Sequence, residues 1–137
     1  PQKAVIENGD VLFSWSASLE VQIWSKGKGA LNQHIFKVTS EKYPKSFYFY
    51  QLLNYLQHFK MIAANRKTTM GHITQEHLEQ SRIVLPPNEF EELLLECENM
   101  IAPIFEKKIN NEIENQKLSE LRDWILPMLM NGQVIVN

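Results

Sequence analysis

In two parts of residues 88–137, apolar side chains recur every three or four residues, and this pattern constrains the fold more than any other feature of the sequence. They form two groups: Phe90, Leu94, Cys97, Ile101 and Ile104, then Leu118, Leu121, Ile125 and Leu129. This spacing predicts a long, coiled-coil-like helix that presents an apolar seam to another helix. Pro103 should break or kink the helix near Asn99, and Asn131-Gly132 should end it before a short strand over 134–136.

The first 87 residues have a different pattern, in which short strand-like segments precede a helix. The candidate strands are 11–13, 20–24, 32–39 and 81–85. Helical spacing then predicts an amphipathic helix over 45–63, and a short helical turn should begin near Thr74. Strands followed by helices, without regular βαβ alternation, predict a mixed α+β fold.

Pro86-Pro87 is the best candidate for a domain boundary, because two prolines remove two backbone donors and force an extended exit. It predicts a first domain over 1–87 and a helical region over 88–137, starting with Asn88 as the helix cap. The first has ten basic and six acidic residues, a net charge of +4, and the second has four and ten, a net charge of −6. A positive domain can approach DNA phosphates, although ordinary surface charge explains +4 equally well.

Composition argues against several classes of protein. Cys97 is the single cysteine, so no internal disulfide can form, and the four histidines do not have metal-ligand spacing. No apolar run approaches the roughly 20 residues that span a bilayer, and residues 1–7 lack the apolar core of a signal peptide. We therefore expect a cytoplasmic protein with no metal and no membrane contact. The missing initiating Met suggests a fragment of a longer protein.

The loop over 65–72 has the chemistry needed to contact DNA. Arg66 and Lys67 can bind phosphates or guanine, and the hydroxyls of Thr68 and Thr69 can bind phosphate or base. A solvated connector between two helices is an equally good interpretation of the same residues. The segments around Ser16 and Lys28 are weaker candidates. Glycine-rich phosphate loops, dinucleotide fingerprints and nucleophile elbows are all missing from the sequence, so we do not expect this chain to be an enzyme.

Four segments resemble the C-terminal part of the DNA-specificity subunit of type I restriction-modification enzymes. They are Gly9-Asp10-Val11-Leu12-Phe13-Ser14, Ala30-Leu31-Asn32-Gln33-His34-Ile35, Lys67-Thr68-Thr69-Met70-Gly71-His72-Ile73 and Leu121-Arg122-Asp123-Trp124-Ile125-Leu126-Pro127. The resemblance implies that 1–87 is the later part of a DNA target-recognition domain. It implies that 88–137 is the distal spacer helix with its closing strand.

The resemblance also implies which residues contact DNA and which form the helix interface. The DNA-facing residues would be Arg66, Lys67, Thr68, Thr69 and His72, then Gln33, His34, Lys28 and Ser16. The residues that pack on the companion spacer helix would be Phe90, Leu94, Ile101, Ile104, Leu118, Leu121, Ile125 and Leu129. Without that companion, the helix either pairs with a second copy of the chain or folds back on residues 1–87 of the same chain, which we call the body.

In this family, a specificity subunit directs methyltransferase and restriction subunits to a split site on double-stranded DNA. The resemblance implies that this chain binds no cofactor, and that S-adenosylmethionine, ATP and Mg²⁺ are bound only by the partner subunits. Two alternatives remain open. The chain could be a protein-interaction module without DNA binding, or the recognition region of a single-chain restriction-methylation enzyme.

Overall fold

The computed structural model describes residues 5–15, 18–65, 73 and 75–133. The described part is a mixed α+β fold, as predicted. Five short strands come first: β1 Val5–Ile6, β2 Val11–Ser14, β3 Glu20–Ile23, β4 Gly29–Ala30 and β5 Ile35–Val38. Three α-helices follow: α1 Lys45–Asn65, α2 Gln75–Glu79 and α3 Glu91–Met130. The predicted strand over 134–136 lies outside the described residues.

An antiparallel sheet with the order β3-β2-β5 forms the centre of the fold. Val11 at one end of β2 pairs with Ile23 and Val38, and Ser14 at the other end pairs with Glu20 and Ile35. We call these the Val11 end and the Ser14 end of the sheet. Strands β1 and β4 form a second antiparallel pair.

Turns define where two of the predicted strands begin. Gly9 has a φ of 91° and donates its N–H to the carbonyl of Trp24 at 2.8 Å, so the predicted turn into β2 is confirmed. The strand predicted over 32–39 starts only at Ile35. Asn32 forms a turn there: its carbonyl accepts the N–H of Ile35 at 3.1 Å, and its side-chain oxygen accepts the N–H of His34 at 3.1 Å.

Helix α1 covers one face of the sheet and contributes to two clusters of the core. At the Ser14 end, Phe13 packs against Phe59, with ring centroids 5.8 Å apart. At the Val11 end, Val11 and Ile23 pack with Phe49 of α1. The second cluster is completed by Phe105 of α3, which lies 5.3 Å from Phe49 ring to ring. The first part of α3 is therefore part of the same hydrophobic core as the sheet.

The strand predicted over 81–85 is wrong. Residues 81–87 are irregular, and Val84 is 87% exposed. Ser81 closes α2 instead, because its hydroxyl donates to the carbonyl of His77 at 2.8 Å. A strand needs a paired neighbour, and no described strand pairs with this segment.

Helix α3 begins and continues differently from the prediction. Asn88 does not cap it: Asn88–Phe90 is a 3-10 turn, and Phe90 stands at the N-cap position without a side-chain hydrogen bond. The helix continues through Pro103, so the predicted break near Asn99 is wrong, while the predicted kink stays a prediction. Packing of the neighbouring residues on the body compensates for the one backbone hydrogen bond that Pro103 cannot make. The predicted stop after residue 130 is confirmed, since Gly132 has a φ of 67°.

Candidate nucleic-acid interface

Three distant segments of the chain are joined by backbone hydrogen bonds at the Ser14 end of the sheet. Trp15 directly follows β2, and its N–H donates to the carbonyl of His34 at 3.2 Å. The carbonyl of Trp15 accepts the N–H of Ile73, also at 3.2 Å. Ile73 is nearly fully buried in the first core cluster, so this junction is anchored to the core. The junction brings together residues that are up to 58 positions apart in the sequence.

Aromatic rings cover the junction. The Trp15 ring lies 5.3 Å from the His34 ring and 6.1 Å from the Phe36 ring, and the planes of Trp15 and Phe36 differ by 24°. Phe36 lies within β5 and is 42% exposed. We call Trp15, Gln33, His34 and Phe36 the sheet-end cluster. It combines an accessible apolar surface with hydrogen-bonding side chains.

The polar part of the sheet-end cluster is ordered by local contacts. Asn32 holds the backbone of His34, as described above, and Gln33 Nε2 lies 3.2 Å from His34 Nε2. The amide donates to the ring nitrogen when that nitrogen is unprotonated. Amide side chains such as that of Gln33 can bond the edge of adenine, and aromatic rings such as that of Phe36 can contact the methyl group of thymine. The cluster therefore contains groups that can read bases.

The predicted DNA-facing residues fall into three sets. Arg66, Lys67, Thr68, Thr69, His72 and Ser16 lie outside the described residues, so their roles stay predictions. In the sequence, Ser16 follows Trp15 and His72 precedes Ile73, two residues of the junction. Gln33 and His34 belong to the sheet-end cluster itself.

Lys28 lies away from Gln33 and His34, the other two candidates that the structure describes. The preceding residue, Gly27, accepts a hydrogen bond from the indole of Trp24 at 2.6 Å, and its N–H donates to Asn8. These contacts place the turn that carries Lys28 near the start of β2, at the Val11 end of the sheet. A DNA contact by Lys28 stays a prediction, and it would be made by a different surface.

The predicted helix interface divides into a part near the body and a distal part. Ile101 packs on the second core cluster of the chain itself, and Leu94 lines a shallow pocket with Tyr43 and Pro44. Phe90 and Ile104 are exposed. The distal residues line an open groove on α3, formed by Leu118, Leu121, Arg122, Ile125, Leu126 and Leu129. Leu118, Leu121, Leu126 and Leu129 of this distal groove are exposed, so a second helix could cover them.

Sequence reasoning missed three residues that the structure makes important. Trp15 and Phe36 form the aromatic surface, and Phe105 is the buried contact of α3. The heptad-like pattern favoured Ile104, which is 65% exposed, whereas its neighbour Phe105 is 7% exposed. The spacing of Ile101, Phe105 and Ile109 is also helical and was the signal that could have found Phe105.

Within the residues that the structure describes, no helix is both long and apolar enough to cross a membrane. In the same ranges, no three His, Cys, Asp or Glu side chains lie together as a possible metal site.

A family model described as the type I restriction modification DNA specificity domain matches residues 2–123. The chain belongs to this family. It is 29% identical to the type I restriction enzyme MjaIX specificity subunit of Methanocaldococcus jannaschii over 92 residues. It is 42% identical to the type I restriction enzyme HindI specificity subunit of Haemophilus influenzae over 43 residues.

These matches cover a small share of the two relatives. The first covers 67% of this chain and 20% of the MjaIX subunit, and the second covers 31% of this chain and 9% of the HindI subunit. The chain therefore corresponds to one segment of each of these specificity subunits.

Proposed function

We propose that this chain is a non-catalytic part of a DNA-specificity subunit, and that the sheet-end cluster contacts double-stranded DNA. The observation that carries the proposal is the junction of Trp15, His34 and Ile73. It places the polar pair Gln33 and His34 beside Trp15 and Ile73, which neighbour Ser16 and His72 in the sequence. Gln33 and His34, the two candidates that the structure describes here, thus lie at the Ser14 end of the sheet.

The chemistry of this end favours contact with bases over contact with phosphates alone. Phe36 offers an exposed apolar face, and Gln33 offers an amide that can both donate and accept. Glu20, opposite Ser14 in the sheet, is exposed at the same end. A carboxylate repels phosphates but can accept from the amino group of cytosine. The cations Arg66 and Lys67 would then supply the attraction to the backbone.

Binding to a randomised duplex pool across a salt series tests this proposal. Fluorescence anisotropy should show binding that weakens with salt, and Lys67→Ala should reduce the slope of log affinity against log salt by about one unit. Lys60→Ala is the matched control, because Lys60 is exposed on α1. A folded chain that binds no duplex at low salt would reject the DNA role and leave the protein-interaction alternative.

We further propose that the distal half of α3 is an assembly surface. Its apolar residues are exposed, although exposed apolar groups of this size are usually covered in soluble proteins. In the complete subunit the occupant would be the companion spacer helix, and the assembled subunit would direct methyltransferase and restriction subunits to a split DNA site. S-adenosylmethionine, ATP and Mg²⁺ would be bound by those partners. This chain by itself would pair with a second copy.

Sedimentation over a range of concentrations tests the assembly surface. The parent chain should dimerise, and Leu121→Lys should shift it toward monomer because the charge would have to be buried. Ser119→Lys adds the same charge at an exposed polar position of α3 and should leave dimerisation intact. A strict monomer at high concentration would contradict self-pairing.

A further inference from the structure

One face of α3 is docked on the body along less than half of the helix. The docked face consists of residues spaced by three or four positions: Glu98, Ile101, Phe105, Ile109 and Glu112. Its apolar members belong to the cluster at the Val11 end of the sheet. Beyond Glu112, the large apolar residues Leu118, Leu121 and Trp124 are exposed. Helix α3 therefore has a docked first part and a distal part that extends away from these contacts.

Both ends of the docked face are held by carboxylates. Glu98 accepts the backbone N–H of Ser46 at 2.9 Å, and Glu112 accepts the hydroxyl of Ser25 at 2.5 Å. Both serines are buried, and both hydrogen bonds are partly buried, so competition from water is reduced. The two carboxylates are 14 residues apart, which is about 21 Å along a helix. Hydrophobic packing is not directional, whereas two hydrogen bonds this far apart define an axis.

The helix itself does not guarantee a fixed direction at this point. Pro103 lies between the two carboxylates and is exposed, and it cannot donate to the carbonyl of Asn99. Helices often bend at proline, because one backbone hydrogen bond is missing there. The direction of α3 beyond Pro103 thus depends on Phe105, Glu112 and their partners on the body.

We propose that Glu98, Phe105 and Glu112 are positioning residues that set the direction in which the distal half of α3 leaves the body. The docking contacts lie at the Val11 end of the sheet, and the sheet-end cluster lies beyond its Ser14 end. The short, rigid strand β2 connects the two. This inference rests on the proposed function, because a fixed direction matters when two DNA-reading bodies are held at a defined separation by paired helices. The docked face would then help to determine which spacing between half-sites is accepted.

Pulsed electron paramagnetic resonance on the DNA-free chain tests the direction of α3. Spin labels are placed at the exposed positions Gln57 of α1 and Glu120 of α3, in a Cys97→Ala background. Labelled protein is diluted with unlabelled protein so that only distances within one chain are measured. The parent should give one narrow distance distribution. Combining Ser25→Ala with Glu98→Ala should broaden or shift it, because both carboxylate contacts are lost.

Two comparisons keep this test decisive. Ile104→Ala removes an exposed side chain from the same helix and should leave the distribution unchanged. Ser25→Ala alone leaves α3 intact and removes only the bond to Glu112, so it serves if the double variant does not fold. A folded variant whose distribution equals that of the parent would overturn the positioning proposal.

A binding experiment then separates this inference from the proposed function. The parent chain first selects a sequence from the randomised duplex pool. Duplexes carrying two copies of that sequence at varied separations are then offered to the parent and to the double variant. The variant should lose or shift the preferred separation while its affinity for one copy stays the same. A parent that selects no sequence would contradict the proposed function, and the resonance experiment would still decide the positioning role. An unchanged preference for separation would overturn that role in DNA selection.

Discussion

Glu98 of α3 accepts a hydrogen bond from the backbone N–H of Ser46 in the first turn of α1, across 2.9 Å. The first turn of α1 contains no acidic residue, and the preceding residue, Pro44, has no side-chain acceptor. Glu98 therefore performs the task of a helix cap from a position 52 residues away. The negative charge also suits the positive end of the α1 dipole. One contact thus stabilises α1 and orients α3.

We expect Glu98→Ala to lower the free energy of unfolding by about 1 kcal/mol, the usual cost of losing a helix cap. Urea denaturation followed by circular dichroism measures this change. Glu96→Ala is the control, because Glu96 is exposed on the same helix and lies off the docked face. Equal stability of the two variants would show that the bond from Ser46 contributes nothing.

We expect Phe105→Ala to lower the free energy of unfolding by about 3 kcal/mol, because it leaves a cavity against Phe49 and Tyr50. Ile104→Ala removes a neighbouring apolar side chain that is exposed, and it should cost less than about 0.5 kcal/mol. Thermal and urea unfolding of both variants measure the difference. If Ile104→Ala were the more damaging change, the docked face would be assigned to the wrong side of α3.

We expect stability to fall at alkaline pH because of Tyr48. Burial raises the pKa of Tyr48 above its ordinary value of 10.0, and the nearby carboxylates of Glu98 and Asp10 raise it further. Above pH 10.0 the unfolded chain loses this proton while the folded chain keeps it, so the folded state loses stability until its own pKa is passed. Well below pH 10.0 this loss of stability is absent, because Tyr48 is protonated in both states.

Urea unfolding measured across this pH window isolates the contribution of Tyr48. The Tyr48→Phe variant should lose this part of the alkaline slope, whereas Tyr43→Phe should keep it because Tyr48 is still present. A Tyr48→Phe variant with the full slope of the parent would contradict the assignment. Absorbance of the tyrosinate group gives an independent measure of the same titration.

We expect Phe36→Ala to weaken binding to a selected duplex by roughly fivefold to tenfold, which corresponds to about 1 kcal/mol of lost apolar contact. The salt dependence of binding should not change, because Phe36 neutralises no phosphate. Phe90→Ala is a matched control: Phe90 is 46% exposed, close to the 42% of Phe36, and lies at the start of α3. Weaker binding by both variants to the same degree would remove the sheet-end cluster from the DNA interface.

Local sequence signals predicted most of the secondary structure. The turn at Gly9, the strands around Leu12 and Val21, and helix α1 follow from backbone preference and apolar spacing. The strand predicted over 81–85 was wrong. The apolar residues of this segment resemble a strand, but no described neighbour pairs with it. Whether a strand forms depends on such a neighbour, and that neighbour is often distant in the sequence.

The sequence alone determined the α+β class, the long helix α3 and membership of the specificity family, because these depend on periodicity and on local motifs. Tertiary structure alone decided that Phe105, and not Ile104, faces the body, since a helix rotates to fit the surface on which it packs. It also decided that Trp15, His34 and Ile73 meet at one junction. Such contacts depend on how the sheet pairs across long loops, and no short stretch of sequence contains that information.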